Sequence, residues 1–306
     1  MDVAVLISPA AGRGRARAFS DAVLDALRAD GVKPTVLSAT TGAEAERQAV
    51  EAVAAGTGAV VAVGGDGTAH AALQAVAGTT TPLAVIPAGT GNDLALALGI
   101  PRDPVAAARA AAEDLVAGDV RTIDAGRTGD RWWATVLCCG FDSAVTDRAN
   151  RLSWPRGRRR YDVAILAELA QLRPREIVLV LDGESTTVPV TLIAVGNTSW
   201  YGGGMKVCPG ADPSDGLFDV TVVGPLTRLE LVRQRPKLTA GTHIENAAVT
   251  VHRAARVELT SPGVTTYADG EPVAPLPAVA AGPARRGSRR RSAAGPWATA
   301  AGWPGR

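Results

Sequence analysis

Residues 64–68, Gly-Gly-Asp-Gly-Thr, bring three glycines, a carboxylate and a hydroxyl to five consecutive positions. Glycines let the backbone take positive φ and approach a ligand closely, so that their N–H groups can point at phosphate oxygens. Asp66 stands among them, placed to hold a metal ion or a sugar hydroxyl. A tight turn with a helix-capping Asp is the plainer alternative. A second cluster at residues 87–93, Pro-Ala-Gly-Thr-Gly-Asn-Asp, adds two glycines, the Thr90 hydroxyl, the Asn92 amide and the Asp93 carboxylate. If both turns follow neighbouring parallel strands, they face one crevice; a capped helix start at Asn92 or Asp93 is the alternative. No GxxxxGK[ST] pattern is present. Nucleotide chemistry would then rest on backbone donors, magnesium and carboxylates instead of a phosphate-binding lysine.

Further groups follow later in the chain. Residues 202–204 are consecutive glycines, and Asp212, Asp215 and Asp219 fall within eight residues. Such carboxylates suit a hard cation held together with backbone carbonyls, or else a solvated acidic loop. Asp269 and Glu271 flank Gly270. In a strand, residues two apart share a face, and paired carboxylates suit a general base that activates a hydroxyl; an ordinary Asp-Gly turn is the alternative. Residues 154–161, Trp-Pro-Arg-Gly-Arg-Arg-Arg-Tyr, form a basic cluster for anionic lipid or nucleotide phosphate, or a solvated helix start. His70, His243 and His252 are dispersed and read as structural. Cys138, Cys139 and Cys208 have no CxxC spacing, so neither a disulfide framework nor a zinc site is expected. A net charge of +2 is not a nucleic-acid signature.

The elements that must position these groups show in the hydrophobic pattern. Apolar runs at 3–7, 34–38, 59–63 and 82–86 alternate with helical stretches at 15–28, 42–54, 69–76, 94–98 and 104–117, the pattern of a parallel α/β sheet. Both glycine clusters thus sit at strand-to-helix turns. Near residue 120 the pattern changes. Strands are expected at 122–127, 132–139, 176–182, 187–196, 218–223, 248–252 and 257–260, with helices at 161–172 and 226–233, which makes an antiparallel β-rich domain. From residue 278 there is no acidic residue, and six arginines fall among Ala, Gly, Pro and Ser; disorder is expected there. The expected domains are 1–120, 121–277 and a tail at 278–306. Aromatics make up only 4% of the chain, so the cores must be built from Ala, Val and Leu. No signal peptide and no apolar run long enough to span a bilayer is found, and a cytoplasmic protein is expected.

Taken in order, GGDGT, PAGTGNDLA, Asp124 in a DAG strand, Gly140-Phe141-Asp142, the block NTSWYGGGMKVCPGADPSDGLFDV and DGE resemble the bacterial diacylglycerol kinase-like lipid kinases. Their catalytic domain is shared with sphingosine and ceramide kinases. The resemblance runs from residue 3 to about residue 272. GGDGT also occurs in NAD kinases and, in related form, in phosphofructokinases; the block at 197–220 resembles the lipid branch.

The resemblance implies an N-terminal α/β domain with an NAD kinase- or phosphofructokinase-like parallel sheet, a C-terminal antiparallel β-sandwich, and an active site between them. It implies ATP on Ser8, Pro9, Ala10, Ala11, Gly12, Thr40, Gly64, Gly65, Asp66, Gly67, Thr68, Gly89, Thr90, Asn92 and Asp93. Catalytic Mg2+ would be held by Asp66 and Asp124. A structural Mg2+ would lie on Asp215 and the carbonyls of Asp212 and Leu217. Glu271, with Asp269 beside it, looks like the base for the lipid hydroxyl, and Arg158 or Arg159 resembles a basic position near the phosphates. The implied reaction is phosphorylation of diacylglycerol or a related lipid alcohol at the inner membrane surface by a peripheral protein, with a homodimer allowed. Two departures stand out. The first motif, usually Asn-Pro-x-Ser-Gly, is here Ser8-Pro9-Ala10-Ala11-Gly12. After DGE, PVAPLPAV gives way to the arginine tail, so that a strand of the family pattern is expected to be missing. An NAD kinase-like phosphotransferase is the alternative enzyme, and a catalytically impaired nucleotide- or lipid-binding homologue is the alternative of another class.

Overall fold

The computed structural model describes residues 1–8, 16–155, 158–282 and 298–300. The chain divides into two compact units, residues 1–125 with 283–306, and residues 126–282.

The first unit contains β1 (Asp2–Ile7), α1 (Ala16–Ala29), β2 (Lys33–Leu37), α2 (Gly42–Ala54), β3 (Val60–Gly64), α3 (Asp66–Val76), β4 (Leu83–Pro87), α4 (Asp93–Leu98), α5 (Pro104–Ala117) and β5 (Arg121–Ile123). β2, β1, β3 and β4 lie side by side in that order, and all are parallel. β3 and β4 are buried along their whole length, as continuous apolar strands covered on both faces must be. Alanine does much of the packing: Ala69, Ala71, Ala72 and Ala75 of α3 and Ala107, Ala108, Ala111 and Ala112 of α5 are all buried. Helices end where the sequence supplies a stop. Gly99 and Gly118 cap α4 and α5 in the left-handed conformation, the residue state that favours glycine at helix ends.

The second unit contains β6 (Gly126–Thr128), β7 (Arg131–Trp133), β8 (Val136–Gly140), α6 (Phe141–Arg151), α7 (Arg158–Ala170), β9 (Arg175–Leu181), β10 (Glu184–Val190), β11 (Leu192–Gly196), β12 (Phe218–Val223), α8 (Arg228–Ala240), β13 (Val249–Ala254), β14 (Arg256–Thr260), β15 (Thr265–Ala268), β16 (Glu271–Pro275) and β17 (Ala278–Ala281). Two six-stranded antiparallel sheets form, β10-β9-β14-β17-β6-β7 and β13-β12-β11-β8-β15-β16. One core joins residues of both, among them Trp133, Ile177, Leu179, Ile193, Phe218 and Leu259. Trp133 stacks on Phe218 with ring centroids 5.1 Å apart, and its indole N–H donates to Thr128 Oγ1 at 3.1 Å. The expected α/β unit followed by an antiparallel sandwich is therefore the fold.

Several details differ from expectation: the run at 122–127 splits into β5 of the first unit and β6 of the second, and α6 forms where no helix was expected. The run at 187–196 is two strands, because the chain leaves one sheet after β10 and enters the other at β11. Thr191 marks the crossing; its N–H bonds Val223 O and its hydroxyl bonds Gly224 O. The run at 132–139 breaks in the same way, at Ala134 and Thr135, into β7 and β8 of different sheets. The helix expected at 226–233 extends to Ala240, started by a capping box in which Thr227 and Glu230 exchange hydrogen bonds. Finally, the strand expected to be missing after DGE is present. β17 pairs with β14 and β6, burying Ala278 and Ala280. The expected disorder thus fails for Ala278–Ala281. It also fails for β18 (Ala298–Ala300), which enters the first unit's sheet between β4 and β5. The remainder of the tail lies outside the described residues.

Candidate active site

In the first unit, β1, β2, β3 and β4 are parallel, so the chain following each emerges at one end of the sheet. That end carries Ser8, Thr40, the 64–68 turn and the 88–93 turn. Open α/β sheets bind ligands at this position. Pro9, Ala10, Ala11 and Gly12 lie outside the described residues.

The two glycine turns are in direct contact. A Cβ on Gly89 would lie 2.4 Å from Gly65 Cα, and one on Gly64 would lie 2.3 Å from Thr68 Oγ1. Neither Gly64, Gly65, Gly67, Gly89 nor Gly91 has positive φ. These glycines serve close approach, and the expectation that they supply left-handed backbone is corrected. The left-handed residue here is Asn92, at φ 60°. Its side chain holds the turn by accepting from Gly89 N and donating to Gly89 O, both at 3.0 Å.

Asp66 binds the second turn through both oxygens. Oδ2 accepts from Asn92 N at 2.8 Å and Oδ1 from Asp93 N at 2.7 Å. It therefore caps α4, not the helix on which it sits. Charge-assisted bonds of this kind are short and strong. A Cβ on Gly91 would lie 2.4 Å from Asp66 Oδ2 and 3.7 Å from Asp93 Oδ2, so glycine keeps open the space between two carboxylates. Carboxylate oxygens are the ligand type that a hard divalent cation takes, and Asp66 and Asp93 are the acids at this turn. Asp124 does not join it: β5 runs parallel to β18, which is antiparallel to β4, so Asp124 follows a strand pointing the opposite way. Thr40 lies at the start of α2, where its N–H and hydroxyl donate to Glu44 at 2.8 and 2.9 Å. Thr41 is the cap itself.

In the second unit, Asp269 and Gly270 are the two-residue tip of the β15–β16 hairpin, with φ of 54° and 83°. Asp-Gly is the sequence that such left-handed pairs favour. The two carboxylates therefore do not share a strand face, which corrects that expectation. Asp269 turns inward and accepts three bonds, from Thr135 N at 2.9 Å, Thr135 Oγ1 at 2.5 Å and Ala134 N at 3.1 Å. Asn197 closes the same knot by donating its amide to Ala134 O at 2.8 Å. Glu271 is left exposed beside this anchored tip. Ala134 and Thr135 carry no chemical signature in the sequence; only the sheet-switching corner reveals them.

The 202–204 glycines all have positive φ and close a small turn in which Tyr201 pairs with Met205. Tyr201 OH donates to Asp142 Oδ2 at 2.6 Å. Burial pushes the Asp142 carboxyl up and the Tyr201 phenol well up, which keeps the phenol a donor. The acidic turn holds an organic cation. Asp215 accepts from Leu217 N at 2.9 Å and pairs with Arg253, which also lies 3.5 Å from Asp219 Oδ2. Asp212 binds Ser214 N and Oγ. Arg253 faces Asp219 directly across the strands. The expected structural Mg2+ on Asp212, Asp215 and Leu217 does not fit this arrangement, because a guanidinium already neutralises it. Among the described residues no group of three His, Cys, Asp or Glu side chains is placed to share a metal ion. Arg158 and Arg159 begin α7.

Comparisons with known proteins match both halves of the chain. The diacylglycerol kinase catalytic domain matches residues 2–128, and the YegS C-terminal NAD kinase beta sandwich-like domain matches residues 135–285. A diacylglycerol kinase of Mycobacterium tuberculosis is 44% identical over 283 residues, covering 90% of each chain. A Pseudomonas fluorescens protein described as "Probable lipid kinase YegS-like" is 33% identical, over 82% of this chain and 83% of its own. A crystal structure of a diacylglycerol kinase from Bacillus anthracis str. Sterne shares the fold, with a TM-score of 0.68 at 17% identity over 92% of this chain and 93% of that one. Motif order, fold and kinship over nearly the whole length together make this chain a member of the diacylglycerol kinase and YegS-like lipid kinase family.

Proposed function

We propose that this chain transfers the γ-phosphoryl group of ATP to the hydroxyl of diacylglycerol, giving phosphatidic acid and ADP. The observation that carries the reading is Glu271: an exposed carboxylate beside a hairpin tip that three hydrogen bonds to Asp269 hold still. The kinship to a diacylglycerol kinase at 44% identity supports the choice of acceptor.

In this reading the backbone N–H groups of the 64–68 and 88–93 turns bind the phosphates, helped by the exposed N-terminus of α3. Asp66 and Asp93 would hold Mg2+, which would supply positive charge for the transferred group. Glu271 takes the proton of the lipid hydroxyl as its oxygen attacks phosphorus and the bond to ADP breaks. Asp269 positions Glu271 and does not touch the proton. The acceptor lies in the inner leaflet and the enzyme works from the cytoplasm as a peripheral protein. No described helix is long and apolar enough to cross a membrane.

The test is transfer of radiolabel from ATP to diacylglycerol in mixed micelles. Glu271→Gln is expected to lower kcat by about 10²–10⁴-fold, the usual contribution of a general base, with an unchanged melting temperature. Asp66→Ala is expected to abolish transfer. NADP formation in place of lipid product, or full activity of Glu271→Gln, would overturn the reading.

A further inference from the structure

The second unit contains a cavity of about 640 Å³ lined by none of the residues assigned above to ATP, metal or base. Its walls come from the start of α6, the end of α7, the start of β9 and the start of α8. Three arginines line it, Arg173, Arg175 and Arg228. Arg228 donates to Ala170 O at 2.6 Å, which fixes its guanidinium without neutralising it. Among the described residues, Arg173 and Arg175 have no carboxylate partner. The one acid of the lining, Glu168, is already paired with Arg148. Two helices begin at this wall, at Phe141 and Arg228, with Asp142 and Glu230 in their first turns, and α7 ends there at Ala170; these helix ends oppose one another, so the positive charge of the hollow rests on the arginines. Positive charge converges on a concave site from three side chains, and the single acid of the lining is already paired.

The helices beside the cavity also show what brings the anion. Val163 and Leu166 of α7 and Leu229 and Val232 of α8 are exposed, with Leu166 67% accessible. Exposed apolar side chains on the two helices that contribute to a cationic hollow match a bilayer surface, where chains and phosphates lie within a few ångström of each other. We propose that this cavity receives the phosphomonoester headgroup of an anionic membrane phospholipid and so holds the protein on the bilayer. The proposal goes beyond the reaction assigned above, and its test reads binding without ATP.

The experiment is co-sedimentation with phosphatidylcholine vesicles, with and without phosphatidic acid. The wild-type chain is expected to partition to the phosphatidic acid vesicles. Arg173→Gln/Arg175→Gln is expected to bind them about 10- to 30-fold more weakly, as two lost charges near an anionic surface imply. Both residues are exposed, so the melting temperature and the micellar kinase rate should stay at wild-type values. Arg47→Gln/Arg256→Gln removes the same charge elsewhere and is expected to bind nearly as the wild type does. Inorganic phosphate should displace the protein where chloride of equal ionic strength does not. Equal vesicle binding by the wild type and Arg173→Gln/Arg175→Gln would overturn the proposal. So would an equal loss in the Arg47→Gln/Arg256→Gln control. If Arg173 and Arg175 are needed for inorganic phosphate binding but not for vesicle binding, the site serves a soluble anion and the membrane role is overturned.

Discussion

Asp269 and Glu271 are separated by one glycine and have opposite fates: one carboxylate is buried in hydrogen bonds, the other left in solvent. Asp269→Ala should therefore harm structure and catalysis together. Losing three bonds and stranding the Ala134 and Thr135 N–H groups should cost about 2–4 kcal/mol, with kcat falling because the tip no longer holds Glu271. Urea unfolding alongside kinase assays checks this; a fall in kcat without loss of stability would mean that Asp269 meets the substrate itself. Asp142 makes a second prediction. Its folded-state pKa is raised by burial, so folding favours the neutral acid, and stability is fully present only below the unfolded carboxylate value. That stability is lost as pH rises through the folded value. Asn accepts the same bond from Tyr201, so Asp142→Asn should gain stability over the wild type, more at about pH 7.5 than at about pH 4.5. Denaturant midpoints at the two pH values decide it. Residue types alone identified the turns and the acids. They could not say which acids are occupied, because partners such as Ala134 N and Asn92 N belong to backbone that looks like nothing in a sequence.

The glycine turns on β3 and β4 act as one element because Gly65 and Gly89 touch. Gly89→Ala would place its Cβ 2.4 Å from Gly65 Cα. Pushing the turns apart should cost about 1–3 kcal/mol and raise the KM for ATP, as thermal melts and kinetics would show. A normal melt with normal KM would mean that the turns do not act together. The parallel strands and their helices were legible, since four apolar runs alternate with helical ones. The sandwich was less so. A fully buried run such as 187–196 has no period to mark where it changes sheet, and Thr191 resembles any other strand residue. β17 was hidden for the related reason that Ala-Val-Ala-Ala, in a stretch rich in Ala, Gly, Pro and Arg, carries no strand period and reads as readily as disorder.

At the scale of the molecule, the first unit's sheet is completed by β18, which comes from the far end of the chain and stands between β4 and β5. Removing residues 283–306 should leave β5 without its neighbour and lower the melting transition of the first unit, while the sandwich, whose strands all lie within residues 126–282, keeps its own. Scanning calorimetry would then show one transition shifted and one not; two unshifted transitions would count against β18 as a structural strand. The same strand also sets an order of events in the cell. A protein made from its N-terminus usually folds its first domain first. Here the sandwich is an insertion: its strands all lie within residues 126–282 and are synthesised before β18, whereas the first unit's sheet is incomplete until β18 has been made. The usual N-terminal-first order therefore does not hold for this sheet, which cannot close before the whole sandwich has been synthesised.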